Sequence, residues 1–352
     1  MSRLFLDVEA SLSGRRWRPR LDAAGEARAQ AIAQGAGVNE LVARILAGRG
    51  VEMAAVERYL EPTLRDLMPD PLTLADMGLA TERLARAAAR RERVAIFGDY
   101  DVDGACASAL LAEYLGALGC ETRIHIPDRV TEGYGPSVAA MRQFREAGAE
   151  LVVTVDCGAV SFEPFAEAAR LGLDVIVFDH HQAAEVLPQT LALVDPNRQD
   201  DLSGLGALCA TGVVFMALVD LNRRLRGRGA VPDLKDKLDL VALATVADVV
   251  PLVGLNRAFV ARGLETMRRR GRPGLAALFD IAGAGGPPTP YHLGFLVGPR
   301  INAGGRIGDA ALGARLLCTS DAGEATRIAA ELDRLNRERQ RIEIAALAEA
   351  EA

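Results

Sequence analysis

Between residues 94 and 194 the chain alternates between two textures. Short β-branched or apolar runs at 94–97, 122–126, 151–155, 175–178 and 191–194 are followed by polar turns, and alanine-rich segments with helically spaced apolar positions fill 104–118, 137–147 and 162–171. Apolar runs of four or five residues bounded by turns fit strands buried on both faces, and helical segments between them fit the crossovers that parallel strands need. The pattern therefore predicts an α/β protein with a mostly parallel five-stranded sheet flanked by helices. Ligands of such sheets bind beyond the carboxyl ends of the strands.

The texture changes on either side. The first ninety residues read as helical pieces separated by turns, with a basic RRWRPR at 15–20 to which a structural role is assigned. Residues 206–278 are mostly helical and strongly apolar, AGAGGPPTP at 282–290 marks a loop, and 322–352 alternates charge, with Ile328, Leu332, Leu335 and Ile342 along one helical face. Four regions follow: a helical N-terminal region 1–90, a sheet-bearing domain 91–280, a glycine-rich segment 281–320 and a long connecting helix 321–352. The last helix runs to the final residue without a cap, so the parent chain is expected to continue.

Composition narrows the class. The chain has 352 residues, half of them hydrophobic, which is enough for a sizeable core. No uninterrupted apolar run spans a membrane, and the N-terminus lacks the pattern of a signal peptide, so a cytoplasmic location without membrane association is expected. The five cysteines form no C-x-x-C pair, which points to neither a disulfide framework nor a thiolate zinc site. A net charge of -6 argues against a surface-wide basic face but not against a local basic groove.

The chemistry lies at the strand ends. "VAIFGDYDVDGA" runs an apolar strand into Asp99, Asp101 and Asp103. An EF-hand loop is excluded, because position twelve is Leu110 and a strand precedes the motif. No P-loop and no G-x-S-x-G elbow occurs. "LVVTVDCG" places Asp156 after another strand, "VIVFDHHQ" places Asp179, His180 and His181 after the next, and "ATVADVVPL" sets Asp248 in an apolar helix. A lone aspartate at such a place is ordinarily a turn or cap residue. Parallel strands bring these ends to one edge, where Asp101, Asp103, Asp156 and His180 can meet, and the like-charged aspartates would repel unless cations lie between them. Asp248 joins them, since an aspartate in an apolar helix must be paired, protonated or metal-bound. His125 and His292 lack acidic company and read as core or surface histidines.

These motifs, with "VDPNR" and "GPRINAGGR", resemble the DHH family of phosphoesterases, and within it the branch of bacterial single-stranded-DNA-specific exonucleases. The resemblance covers roughly residues 94–308 and implies Asp101, Asp103, Asp156, His180 and Asp248 as catalytic ligands of two divalent cations, with Asp156 a bridge. It also implies that His181 faces the scissile phosphate and that Asp179 orients the histidines. Other branches carry a histidine near the start of the first motif, where this chain has Phe97, and Asp99 is the further candidate ligand that would stand in for it. Carboxylates with one imidazole favour Mn²⁺ or Mg²⁺. Arg129 and Tyr134 in "IPDRVTEGYGPS", and Arg300, Asn302 and Arg306 in a glycine-rich loop, are the expected substrate contacts.

The implied activity is 5′–3′ hydrolysis of single-stranded DNA in repair and recombination. Expected partners are single-stranded DNA, a single-stranded-DNA-binding protein and recombination helicases. The family's second core domain and an oligonucleotide-binding domain are expected beyond the last helix. Two alternatives stay open: a phosphodiesterase for short oligonucleotides or cyclic dinucleotides, and an inactive DNA-binding module.

Overall fold

The computed structural model describes residues 4–129, 131–227 and 229–351. They form two compact units that divide after Leu67.

The first unit is built on α1 (Ala23–Ala36), α2 (Glu40–Gly48), α3 (Val56–Leu60) and α4 (Leu64–Leu67). Asp22 and Asn39 start the first two helices, each carboxylate or amide oxygen accepting a backbone N–H of the first turn. Ile32, Leu46 and Val56 form its small core. Within RRWRPR, Arg20 donates to the Gly48 carbonyl, 2.9 Å away.

The second unit begins before the expected boundary at residue 90. Helix α5 (Met77–Arg90) belongs to it, because buried Arg83 ties the helix to Glu92 at 2.7 Å and to Asp174 at 2.5 Å, at the starts of two strands. The strands are β1 (Arg93–Gly98), β2 (Glu121–His125), β3 (Leu151–Val155), β4 (Asp174–Phe178) and β5 (Ala192–Val194). All pairings are parallel, in the order β2-β1-β3-β4-β5. Gly98 pairs with Val155, Val155 with Phe178 and Phe178 with Val194, so the carboxyl ends of four strands finish level.

Helix α6 (Val102–Ala117) is buried on almost every face, which its alanines permit. It packs on β1 and β2 and also against α9 (Ala210–Leu225), α10 (Leu238–Ala247) and α14 (Leu312–Cys318). Helices α7 (Val138–Glu146) and α8 (Phe162–Arg170) supply Phe144 and Phe165 to another core cluster with Phe97, Val152 and Val177 of the sheet. Helices α11 (Gly254–Arg268) and α12 (Pro273–Ile281) complete the apolar region after the sheet.

Two expectations change. Residues 298–307 are not a glycine-rich loop but helix α13 (Gly298–Ile307), continuous with a π-helical turn, His292–Val297. Pro299 sits in the first turn, where its missing N–H costs nothing, and the glycines permit close packing. A Cβ on Gly305 would stand 2.5 Å from the Tyr100 carbonyl oxygen. The apolar face of the last helix, α15 (Ala322–Glu351), is buried at Ile328, Leu332 and Leu335, whereas Ile342 is exposed. Among the described residues no helix is long and apolar enough to cross a membrane.

Candidate metal centre

The strand order places a switch point between β1 and β3, because the chain leaves β1 for β2 on one side and returns to β3 on the other. A crevice opens beyond the strand ends at such a point. Asp99 and Asp101 follow β1, and Asp156 follows β3.

Each acidic side chain is fixed by its local backbone. Asp101 caps α6, its Oδ1 accepting the Gly104 N–H at 3.0 Å. Position 104 must be glycine, since a Cβ would lie 2.3 Å from the Asp99 carbonyl oxygen. Asp103, in the first turn of α6, is buried and holds the start of α9: its Oδ2 accepts the Ala210 N–H at 2.6 Å, while Oδ1 accepts the Thr211 N–H at 2.9 Å and hydroxyl at 2.6 Å. Asn302 of α13 reaches the same loop and accepts the Val102 N–H at 3.0 Å.

Asp156 continues the ladder by donating its N–H to the Phe178 carbonyl at 2.9 Å, then turns with φ +62°. That left-handed conformation is tolerated by aspartate better than by most side chains. Asp248 differs from the expectation that it lies inside a helix. It caps the carboxyl end of α10, and Val249 follows with φ +59°, a strained conformation for a β-branched residue.

Asp179 follows β4 and takes no free position in the cluster. Its Oδ2 accepts the Ala159 N–H at 2.9 Å, and its Oδ1 accepts the His180 N–H at 2.8 Å and lies 2.8 Å from His181 Nδ1. The Asn197 amide adds a hydrogen bond to the His180 carbonyl at 2.6 Å. His180 is thereby held with its Nε2 3.2 Å from Asp156 Oδ1, 3.7 Å from Asp248 Oδ2 and 3.8 Å from Asp103 Oδ2.

Three overlapping sets have ligand atoms within 4.8 Å of one another: Asp103, His180 and Asp248; Asp99, Asp101 and Asp156; and Asp156, His180 and His181. Asp156 and His180 each belong to two of them. Asp99 Oδ1, Asp156 Oδ1, His180 Nε2 and Asp248 Oδ2 are buried and make no hydrogen bond of good geometry, His180 Nε2 lying only at ion-pair distance from Asp156 and Asp248. Buried polar atoms are normally paired, so four orphaned atoms pointing into one crevice fit a cation site. Burial, then Asp101, raises Asp99 to about 7; burial, then Asp103, raises Asp248 to about 7. Asp156 is pushed well up by burial and by Asp103 and Asp101. His181 is raised to about 9, chiefly by its hydrogen bond to Asp179.

The expected substrate residues divide. Tyr134 stands beside the cluster, its ring edge-on to His181 at 6.2 Å. Arg129 lies over Tyr100, 5.2 Å from the ring centre, and Tyr100 meets Tyr134 edge-on at 6.4 Å. Arg300 is instead paired with buried Asp333 at 2.9 Å and donates to the Leu296 carbonyl at 2.6 Å. Asn302 contacts the backbone of the carboxylate loop, as described, and Arg306 is exposed. His125 pairs with Glu132 at 3.1 Å, and neither it nor His292 joins a cluster among the described residues. Sequence reasoning passed over Tyr100 and Asn197. The first was marked by its place between two strand-end aspartates, and the second by "VDPNR".

Comparison with known proteins agrees with this geometry. Residues 93–245 match the N-terminal domain of the DHH family. A crystal structure of exonuclease RecJ bound to manganese is 37% identical and superposes with a TM-score of 0.72, covering 80% of this chain and 70% of that one. RecJ from Thermus thermophilus in complex with Mn²⁺ is 33% identical with a TM-score of 0.79, over 92% of this chain and 46% of that one. The single-stranded-DNA-specific exonuclease RecJ of Escherichia coli is 38% identical over 86% of this chain and 54% of its own length. That of Bacillus subtilis is 37% identical over 87% and 38%. The chain thus spans roughly half the length of the curated relatives it matches.

Proposed function

The chain belongs to the RecJ family of DHH proteins, and on that premise we propose that it is a metal-dependent exonuclease hydrolysing single-stranded DNA from the 5′ end, in repair and recombination. The observation that carries the reading is the crevice of four orphaned buried atoms on Asp99, Asp156, His180 and Asp248. Asp99, Asp101, Asp103, Asp156, His180 and Asp248 are the residues that would hold two divalent cations, with Asp156 shared. When bound, Mn²⁺ or Mg²⁺ supplies a water of lowered pKa and neutralises charge on the leaving oxygen.

The chain's own groups supply the rest. Asp179 engages Nδ1 of His181 and favours its protonated form, which leaves Nε2–H to donate to a phosphate oxygen. Tyr134 and Tyr100 offer ring faces to a base, and Arg129 and Arg306 offer charge to the strand. Arg300 and Asn302 contribute by fixing α13 against α15 and the carboxylate loop. Residues 281–320 are the substrate-facing segment in this reading. A single-stranded-DNA-binding protein and recombination helicases are its partners, and the cytoplasm its location, on the family resemblance alone.

The test is release of nucleotides from 5′-labelled single-stranded and duplex DNA in Mn²⁺, Mg²⁺ or EDTA, compared with Asp156→Ala. Metal-dependent release of mononucleotides from the single strand, abolished in the variant, is expected. Cleavage confined to very short oligonucleotides or cyclic dinucleotides would replace this reading with the small-substrate one.

A further inference from the structure

Two of the chain's few aromatic side chains are stacked on each other in solvent. Tyr291 is 61% exposed and Phe295 is 70% exposed, with ring centres 5.2 Å apart and planes inclined by 22°. They are four residues apart at the π-helical turn His292–Val297. The i→i+5 bonding of a π-helix widens the turn, and such turns are rare and frequently found at functional sites. Rings this exposed gain little from burial among the described residues.

The place of the turn connects it to the carboxylate crevice. Leu293 and Val297 anchor it in the core. Gly294 and Gly298 let it approach the last turn of α10, with Cβ positions 3.5 Å from Val246 Cγ1 and 3.3 Å from Ala247 Cβ. The next residue after Ala247 is Asp248. The same rod continues as α13, where Asn302 holds the Val102 N–H between Asp101 and Asp103, and Gly305 abuts Tyr100. Exposed Arg306 adds a cation to that rod.

We propose that Tyr291 and Phe295 form a stacking platform for unpaired bases of the DNA strand that runs to the crevice. The inference rests on the nuclease reading and adds to it the surface that grips the polymer. Flat apolar faces bind any base and read no sequence, and a duplex keeps its base faces stacked internally, so such a platform favours single strands. Arg306 complements the phosphates of the same strand.

The experiment measures binding of a fluorescent dT oligomer and of an abasic oligomer of equal length, in EDTA, to the wild-type chain and to Tyr291→Ala/Phe295→Ala. Equal thermal midpoints check that both proteins are folded. The wild type is expected to prefer dT by about tenfold, a preference the double variant loses and Tyr291→Phe/Phe295→Tyr restores. A double variant that keeps the wild-type preference for dT would overturn the platform, as would a wild type with no preference. Self-association of the wild type that the double variant abolishes would assign the rings to a second copy of the chain and also overturn it. Cleavage by the wild type in Mn²⁺ is scored separately: binding preference without cleavage removes the nuclease reading and leaves the platform standing.

Discussion

The Asp179 carboxylate lies 2.8 Å from Nδ1 of His181 and raises that imidazole to about 9. Because the folded value exceeds the ordinary one, the interaction stabilises the fold fully below about pH 6.5 and is lost as pH rises through about 9. Asp179→Asn should lower activity roughly 10- to 100-fold. It should also move the alkaline limb of the pH–rate profile toward about 6.5, the ordinary histidine value. A variant whose limb stays in place would show that protonated His181 is not required.

Removing cations should expose the strain of the acidic crevice. Asp99 and Asp248 are raised to about 7 in the fold, so the metal-free folded state binds more protons than the unfolded chain. Its stability should therefore fall as pH rises from about 4 to about 7, and Mn²⁺ should reverse the loss. Thermal midpoints in EDTA and in Mn²⁺ at pH 5 and pH 8 check this. The metal-induced rise should be larger at pH 8, and an equal rise at both would contradict the assignment.

Arg300 and Arg306 should separate cleanly. Arg300→Ala leaves buried Asp333, among the described residues, with exposed Arg337 as its remaining ion-pair partner, and should cost roughly 2–4 kcal/mol in denaturant unfolding. Arg306→Ala should stay within about 0.5 kcal/mol of the wild type. Equal stabilities would refute the structural role of Arg300.

Gly305→Ala tests how closely α13 clasps the carboxylate loop. The added methyl would meet the Tyr100 carbonyl at 2.5 Å, and the helix would have to shift, at roughly 1–3 kcal/mol. Mn²⁺ affinity measured by calorimetry should fall with stability, because Tyr100 lies between Asp99 and Asp101. Unchanged affinity would show that the loop does not depend on this contact.

Much of this was legible in the chain. Apolar runs without polar alternation marked four of the five strands, β-branched residues alternating with polar ones in TRIHI marked β2, and aspartates just beyond the strands marked the crevice, because parallel strands leave little choice about which ends meet. What stayed hidden depended on tertiary contacts. Gly298, Gly304 and Gly305 read as loop formers, yet they serve as contact points whose neighbours, Ala247, Leu332 and Tyr100, are brought there by the fold. Asp248 read as helical because nothing in "ATVADVVPL" announces a left-handed valine. Arg300 read as a ligand for phosphate because Asp333 lies far away in sequence and close in space.

The level row Gly98, Val155, Phe178 and Val194 also has a kinetic meaning. Asp99, Asp156 and Asp179 emerge together only after two parallel pairings between distant segments have closed in register. Such non-local pairings are slow to form, and a one-residue slip turns every side chain to the other face. The acidic crevice is thus completed by the late, long-range part of folding. A nascent or misregistered chain has no assembled cluster, so the acidic crevice exists only in the correctly registered fold.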